Sequence, residues 1–187
     1  MEKTLYIKNM VCDRCIKVLK NELKDEGIKV LNVKLGELTV KIDSKDEIPA
    51  LQKIIESNGF FIINSENFKM VEQVKLTLIS LLKTLPLNNE RLSDILSKEL
   101  NQEYSRISKI FSYNEKVTLE KYFIKLKVEK AKELIHNKEL NFTEISQLLN
   151  YSNLTHLSNQ FKTETGMSLT EYKTLEKNFR NPLDRII

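Results

Sequence analysis

The chain has 187 residues, 41% apolar, 7% aromatic and 30% charged, with a formal net charge of +4. That length holds one large domain or two small ones. The absence of any run of roughly 18 apolar residues excludes a membrane-spanning helix, and the abundance of Ile, Leu, Val and Phe excludes a disordered chain.

Leu5 and Ile7 alternate with Thr4, Tyr6 and Lys8, which predicts a short strand. Ile16, Leu19 and Leu23 recur at helical spacing, and Gly27 is the expected stop. Ile28, Val30 and Val33 predict a second strand. Gly36-Glu37 reads as a turn into a third, where Leu38, Val40 and Ile42 alternate with Thr39, Lys41 and Asp43. Ser44 is the expected cap of a helix carrying Ile48, Leu51, Ile54 and Ile55, with Pro49 in its first turn. Asn58-Gly59 ends it, and Phe60 to Ile63 is a last strand. The order βαββαβ in about 65 residues is the ferredoxin-like split βαβ unit.

From residue 66 the two-residue period disappears. Four Gly and three Pro are little punctuation for a many-stranded fold, so helices are expected to dominate. Met70, Val74, Leu78, Leu81, Leu82 and Leu85 predict one long connector helix that Pro86 stops. Two similar patterns follow. Arg91 to Asn101 precedes Gln102 to Phe111, and Asn141 to Tyr151 precedes Asn153 to Thr163. Each has a short apolar-faced helix, an Asn suited to a left-handed turn, and a second amphipathic helix, the helix-turn-helix pattern. One helix from Thr118 to Asn137 joins them, with His136 near its end as a surface residue. Two such motifs suit successive major grooves, which lie ~34 Å apart on one face of a duplex. Residues 1–68 carry 11 basic and 11 acidic side chains, whereas residues 69–187 carry 19 and 15. The positive excess therefore lies with the helical part and suits, without requiring, a nucleic-acid partner.

The stretch Leu140 to Tyr172 resembles the DNA-binding domain of AraC/XylS-type transcription regulators. Ile145, Tyr151, Ser158-Asn159, Phe161-Lys162, Gly166, Ser168 and Tyr172 match that family's signature. Ser146, Asn150, Leu157 and Leu169 stand where the family has Ala, Gly, Phe and Pro. The linking helix, Tyr122 to Leu134, is similar too, so the resemblance covers about residues 88–175. It implies sequence-specific binding to double-stranded promoter or operator DNA, with RNA polymerase as a further candidate partner.

In such a domain the second helix of each motif buries one face and offers the other to DNA. With Leu154, Leu157 and Phe161 inward, Thr155, His156, Asn159, Gln160, Lys162 and Thr163 face outward. Asn159 suits adenine, His156 a base edge or phosphate, and Lys162 phosphate. With Ile107, Ile110 and Phe111 inward, Tyr104, Ser105, Arg106, Ser108 and Lys109 remain. Arg106 is the natural guanine reader.

The reactive chemistry lies in Met10-Val11-Cys12-Asp13-Arg14-Cys15. Two thiols three apart at the start of a helix can converge on one ion. The helix N-terminus and Arg14 are expected to favour thiolate. Two thiolates suit a soft, low-coordinate ion such as Cu(I), whereas a structural Zn site needs four ligands. Met10 reads as a core residue beneath the loop. This half resembles the heavy-metal-associated domain of copper chaperones and metal-pumping ATPases. Met10, Cys12, Cys15 and Asn58-Gly59-Phe60 match it, and Asn9 and Val11 replace its Gly and hydroxyl residue. Metal binding, a thiol redox switch and a pair without a ligand all remain open for Cys12 and Cys15.

The expectation is an α+β chain. A heavy-metal-associated-like domain (1–65), a connector helix (66–87), an AraC-type DNA-binding domain (88–175) and a tail (176–187) follow in order. The N-terminus lacks an export signal's apolar core, which points to the cytoplasm. The expected function is non-enzymatic transcription regulation, with Cys12/Cys15 sensing Cu(I), another soft metal ion or redox state. A metal-trafficking or protein-interaction protein, or a thiol oxidoreductase, are the alternatives.

Overall fold

The computed structural model describes residues 1–44, 46–175, 179–181 and 186. The chain divides into two compact units, Met1–Leu76 and Thr77–Ile187.

The first unit runs β1 (Glu2–Lys8), α1 (Asp13–Asp25), β2 (Lys29–Lys34), β3 (Glu37–Lys41), α2 (Glu47–Ser57) and β4 (Phe61–Ile63). The strands form one sheet in the order β2-β3-β1-β4, with every neighbouring pair antiparallel. Strand alternation sets its two faces. Leu5, Ile7, Leu38 and Val40 share a core with Leu19, Leu23, Leu51 and Ile55 of the helices. The residues between them face the other way, where the Thr4 and Thr39 hydroxyls meet at 3.0 Å. The β2–β3 register slips between Val30 and Asn32, an irregularity that leaves Leu31 exposed.

Three expectations change. Ser44 bonds as a cap, its Oγ accepting the Asp46 N–H and its own N–H donating to the Glu47 carboxylate, but regular α2 begins later, at Glu47 after Asp46. The connector helix α3 covers Glu66–Leu81, not 66–87. Pro86 disfavours helical backbone at Leu85, and the chain turns through Lys83 N–H to Ser80 O and Thr84 N–H to Leu81 O. Nor is α3 a separate connector, since residues 66–76 belong to the first unit and bury Val71 and Val74. Gly36, at φ +74, fits here because a Cβ would meet Leu76 Cδ1 at 2.5 Å.

The second unit holds α4 (Leu92–Leu100), α5 (Tyr104–Glu115), α6 (Leu119–Asn137), α7 (Phe142–Leu148), α8 (Leu154–Thr165) and α9 (Leu169–Thr174). Thr118 caps α6 as the expected boundary requires, its hydroxyl accepting the Lys121 N–H at 3.2 Å. Helix α6 is the hub, touching α5, α7, α8 and α9. Most of the expected tail, residues 176–178, 182–185 and 187, lies outside the described residues. Arg180 and Asn181 dock on α6, and Ile186 is buried. Among the described residues no helix is long and apolar enough to cross a membrane.

Candidate functional site

Helices α7 and α8 are set by local side-chain bonds. Asn141 and Glu144 form a reciprocal capping box at the start of α7. Asn150 then takes the left-handed conformation, φ 52, and turns the chain. The Asn153 side chain accepts the His156 N–H at 2.8 Å and starts α8. Leu157 and Phe161 are fully buried, and Phe161 packs edge-on against Tyr172 at 5.4 Å. One turn of that geometry leaves Thr155, His156, Asn159, Lys162 and Thr163 exposed and Gln160 and Leu154 half-buried. The His156 ring is held by Ser152 Oγ, 3.1 Å from Nδ1, and by the edge of Tyr151.

Helices α4 and α5 reach a similar arrangement by other means. Asn101 takes the left-handed turn, φ 50. Neither Arg91 before α4 nor Glu103 before α5 caps through its side chain. Ile107 and Phe111 are fully buried, and Phe111 lies 5.3 Å from Tyr122 of α6. Ser105, Arg106 and Lys109 are exposed, whereas Ser108 and Ile110 are half-buried. The Arg106 guanidinium donates to Gln102 Oε1, in the turn before α5, at 2.9 Å. Tyr104 is tethered rather than free. Its hydroxyl donates to the Glu120 carboxylate. Burial and then this bond push the Tyr104 pKa up, and the same bond pulls that of Glu120 down.

The thiol pair sits on the first unit. Met10 is fully buried beneath the loop, and Cys12 immediately precedes α1. The two Sγ atoms lie 3.2 Å apart and both cysteines are half-buried. Asn9, where the resemblance has Gly, takes φ 71 and so supplies the conformation itself. The expected thiolate bias does not hold at Cys15. Burial is the largest influence and raises its pKa, and its bond to Cys12 adds to the rise. Arg14 is exposed and does not figure among the groups acting on that thiol. Among the described residues no His, Cys, Asp or Glu joins the pair to make a cluster of three. That donor set fits a two-coordinate soft ion and not a structural Zn site.

Three features escaped the sequence reading. Glu72 of α3 is 5% exposed, and its Oε2 accepts the Asn9 N–H at 3.4 Å while Oε1 lies 3.6 Å from Lys75. Glu129 and Lys132 form a buried pair at 2.6 Å on α6, and Asn181 of the tail adds 2.8 and 3.2 Å bonds to the same carboxylate. Lys127 is half-buried, with its ammonium 3.7 Å from the centre of the Tyr151 ring. The first two link positions about 50–63 apart in sequence, and no local periodicity signals such pairs.

Residues 96–174 match the family model of a helix-turn-helix domain. The chain is also similar to a solved structure, the C-terminal domain of AraT, a response regulator from Geobacillus stearothermophilus. The TM-score is 0.51 at 19% identity, covering 63% of this chain and 95% of that one. At that identity the likeness concerns the fold alone. No curated protein sequence matches the chain.

Proposed function

We propose that the chain is a sequence-specific DNA-binding transcription regulator. The α4–α5 and α7–α8 pairs are its two helix-turn-helix motifs, and α5 and α8 are the helices that enter the major groove. The observation that carries this reading is α8. It buries Leu157 and Phe161 completely while exposing Thr155, His156, Asn159 and Lys162, donors and acceptors without a bulky apolar neighbour among them. A helix built that way within a helix-turn-helix domain has an inner face for its fold and an outer face for base edges and phosphates. Arg106, Ser105, Lys109 and the tethered Tyr104 form the corresponding face of α5. Proteins of this class work by binding, and no catalytic role is assigned to any residue.

The first unit is a ferredoxin-like βαββαβ sensor module in this reading. Cys12 and Cys15 would hold a soft ion such as Cu(I), or respond to redox state. Either event acts at the two sulfurs, and the loop they sit on is bonded through Asn9 to Glu72 on α3. That helix continues to Leu81 and so is the covalent route to the reader. Coupling of this kind is worth ~1–3 kcal/mol, or 5–150-fold in affinity.

Fluorescence anisotropy tests both parts, using DNA selected from a random pool, two salt concentrations and added Cu(I). Wild type and Cys12→Ser/Cys15→Ser are compared. Specific, salt-steep binding supports the regulator, and a Cu(I) effect lost in the double variant supports the sensor. Binding indifferent to sequence sinks the first part. Specific binding indifferent to Cu(I), to oxidant and to the cysteines sinks the second.

A further inference from the structure

Lys127 lies near the middle of α6 with no ion-pair partner among the described residues. Its ammonium lies over the Tyr151 ring. Beside it is a cavity of about 60 Å³, walled by Leu81, Leu87, Leu92, Ile95 and Phe123. Asn88 and Asn150 complete the lining and are both exposed, so the cavity has a polar mouth. The mouth is held in shape by Asn150 Nδ2 donating to Asn88 O at 3.0 Å and Leu87 N–H to Leu148 O at 2.9 Å. A lone amine beside a small, mainly apolar cavity is an unusual use of lysine. Lysines are rarely buried unless paired.

We propose that Lys127 is a covalent acylation site for small acyl phosphates, the cavity receiving the acyl group. The Nζ lone pair attacks the acyl carbonyl carbon and forms an amide C–N bond. The C–O bond to phosphate breaks, phosphate leaves with that electron pair, and the amine proton passes to solvent. The product is neutral and takes the positive charge off the Tyr151 face, at the turn that leads into α8. An acetyl group is of the size the cavity holds. Longer acyl groups fit it progressively less well.

The electrostatics agree with the geometry. Burial brings the Lys127 pKa down to about 8, so about a tenth is free amine at pH 7, whereas an exposed lysine near ~10.4 is almost entirely protonated. No other charged side chain lines the cavity, and Tyr151 is the titratable group that faces Nζ. Burial and the Glu164 carboxylate raise the Tyr151 pKa, which keeps its phenol neutral across this range. The gain in free amine is partly offset by the weaker nucleophilicity of a less basic nitrogen, which leaves about a tenfold preference.

The test uses the full chain, acetyl phosphate and no DNA, so its result is independent of the DNA-binding reading. Peptide mass spectrometry at low conversion gives the acetylation rate at each lysine. Lys127 is expected to react about tenfold faster than exposed Lys109, Lys138 and Lys162, and its rate to level off above about pH 8. The rates of the exposed lysines should keep climbing toward pH 10. Ile95→Phe, which fills the cavity, should slow Lys127 alone, with circular dichroism checking that the helices persist. Propionyl phosphate and longer acyl phosphates should progressively lose the preference. Equal rates at Lys127 and Lys109 overturn the proposal, and so does an unchanged Lys127 rate in a folded Ile95→Phe variant.

Discussion

The two helix pairs of the second unit reach one arrangement by two routes. Both turn on an asparagine in the left-handed region, Asn101 at φ 50 and Asn150 at φ 52. Both bury a phenylalanine from the second helix, Phe111 or Phe161, against a tyrosine. Yet the second pair carries side-chain caps at Asn141 and Asn153, and the first pair has none at Arg91 or Glu103, while the helix after each pair is capped, by Thr118 or Ser168. The first pair relies on packing and on the Tyr104–Glu120 tether to α6. On the proposed reading, one recognition helix is aimed from within its own motif and the other from a neighbouring helix. The difference teaches that equal exposure of Arg106 and Asn159 does not mean equal means of support.

The largest effect should be common to both pairs. Phe111→Ala and Phe161→Ala each remove a fully buried ring, at a cost of about 3–5 kcal/mol. Urea unfolding followed by circular dichroism reads both. A cost under 1 kcal/mol at one of them would mean that its pair is not packed as described.

The residues proposed to face DNA come next. Arg106→Ala and Asn159→Ala should each weaken a selected operator by about 1–3 kcal/mol and relax preference at different base pairs. Lys162→Ala should instead weaken all sequences alike and lower the salt slope by about one. Uniform weakening by all three variants would reduce the reader to a phosphate-binding surface.

Caps separate the pairs by a smaller amount. Asn153→Ala should destabilise the second unit by about 1 kcal/mol, and Glu103→Ala, at the matching place in the first pair, by under about 0.5. Equal losses would erase the distinction drawn between them.

The smallest effect is a pH profile. The Tyr104 tether lowers the Glu120 pKa and raises that of Tyr104. A depressed carboxylate stabilises above its unfolded value, and that gain is lost as pH falls. A raised phenol stabilises below its own unfolded value, and that gain is lost as pH rises. The advantage of wild type over Tyr104→Phe should therefore be greatest between about pH 5 and 10 and shrink outside it. Asn153→Ala should show no such window. Thermal melts across pH decide the matter.

Much of this architecture was legible because it is local. Strand alternation and helical spacing recovered the βαββαβ order. Thr118 marked the start of α6, and Asn101 and Asn150 marked both turns. What stayed hidden is where distant residues or competing local bonds decide. The end of α3 falls at Leu81, four residues before the Leu85 that Pro86 restricts, where Lys83 N–H turns back to Ser80 O and Thr84 N–H to Leu81 O. Ser44 bonds as a cap, with Asp46 N–H and the Glu47 carboxylate, although regular α2 begins only at Glu47. The outward helix faces were legible from periodicity, but the tether on Tyr104 was not, since it joins α5 to the first turn of α6. At the thiols, the helix N-terminus suggested an acidified pair, whereas the fold half-buries Cys15 and raises its pKa. The Glu129–Lys132 pair with Asn181 shows the same limit, because a carboxylate 4% exposed finds its partner 52 positions away.

Hydroxyl-radical footprinting on a selected operator tests the central claim most directly, that both helix pairs read DNA. The account predicts two protected patches about one helical turn apart on one face of the duplex. Arg106→Ala should weaken one patch and Asn159→Ala the other. A single patch that responds only to Asn159→Ala would contradict it and leave the first pair as scaffold.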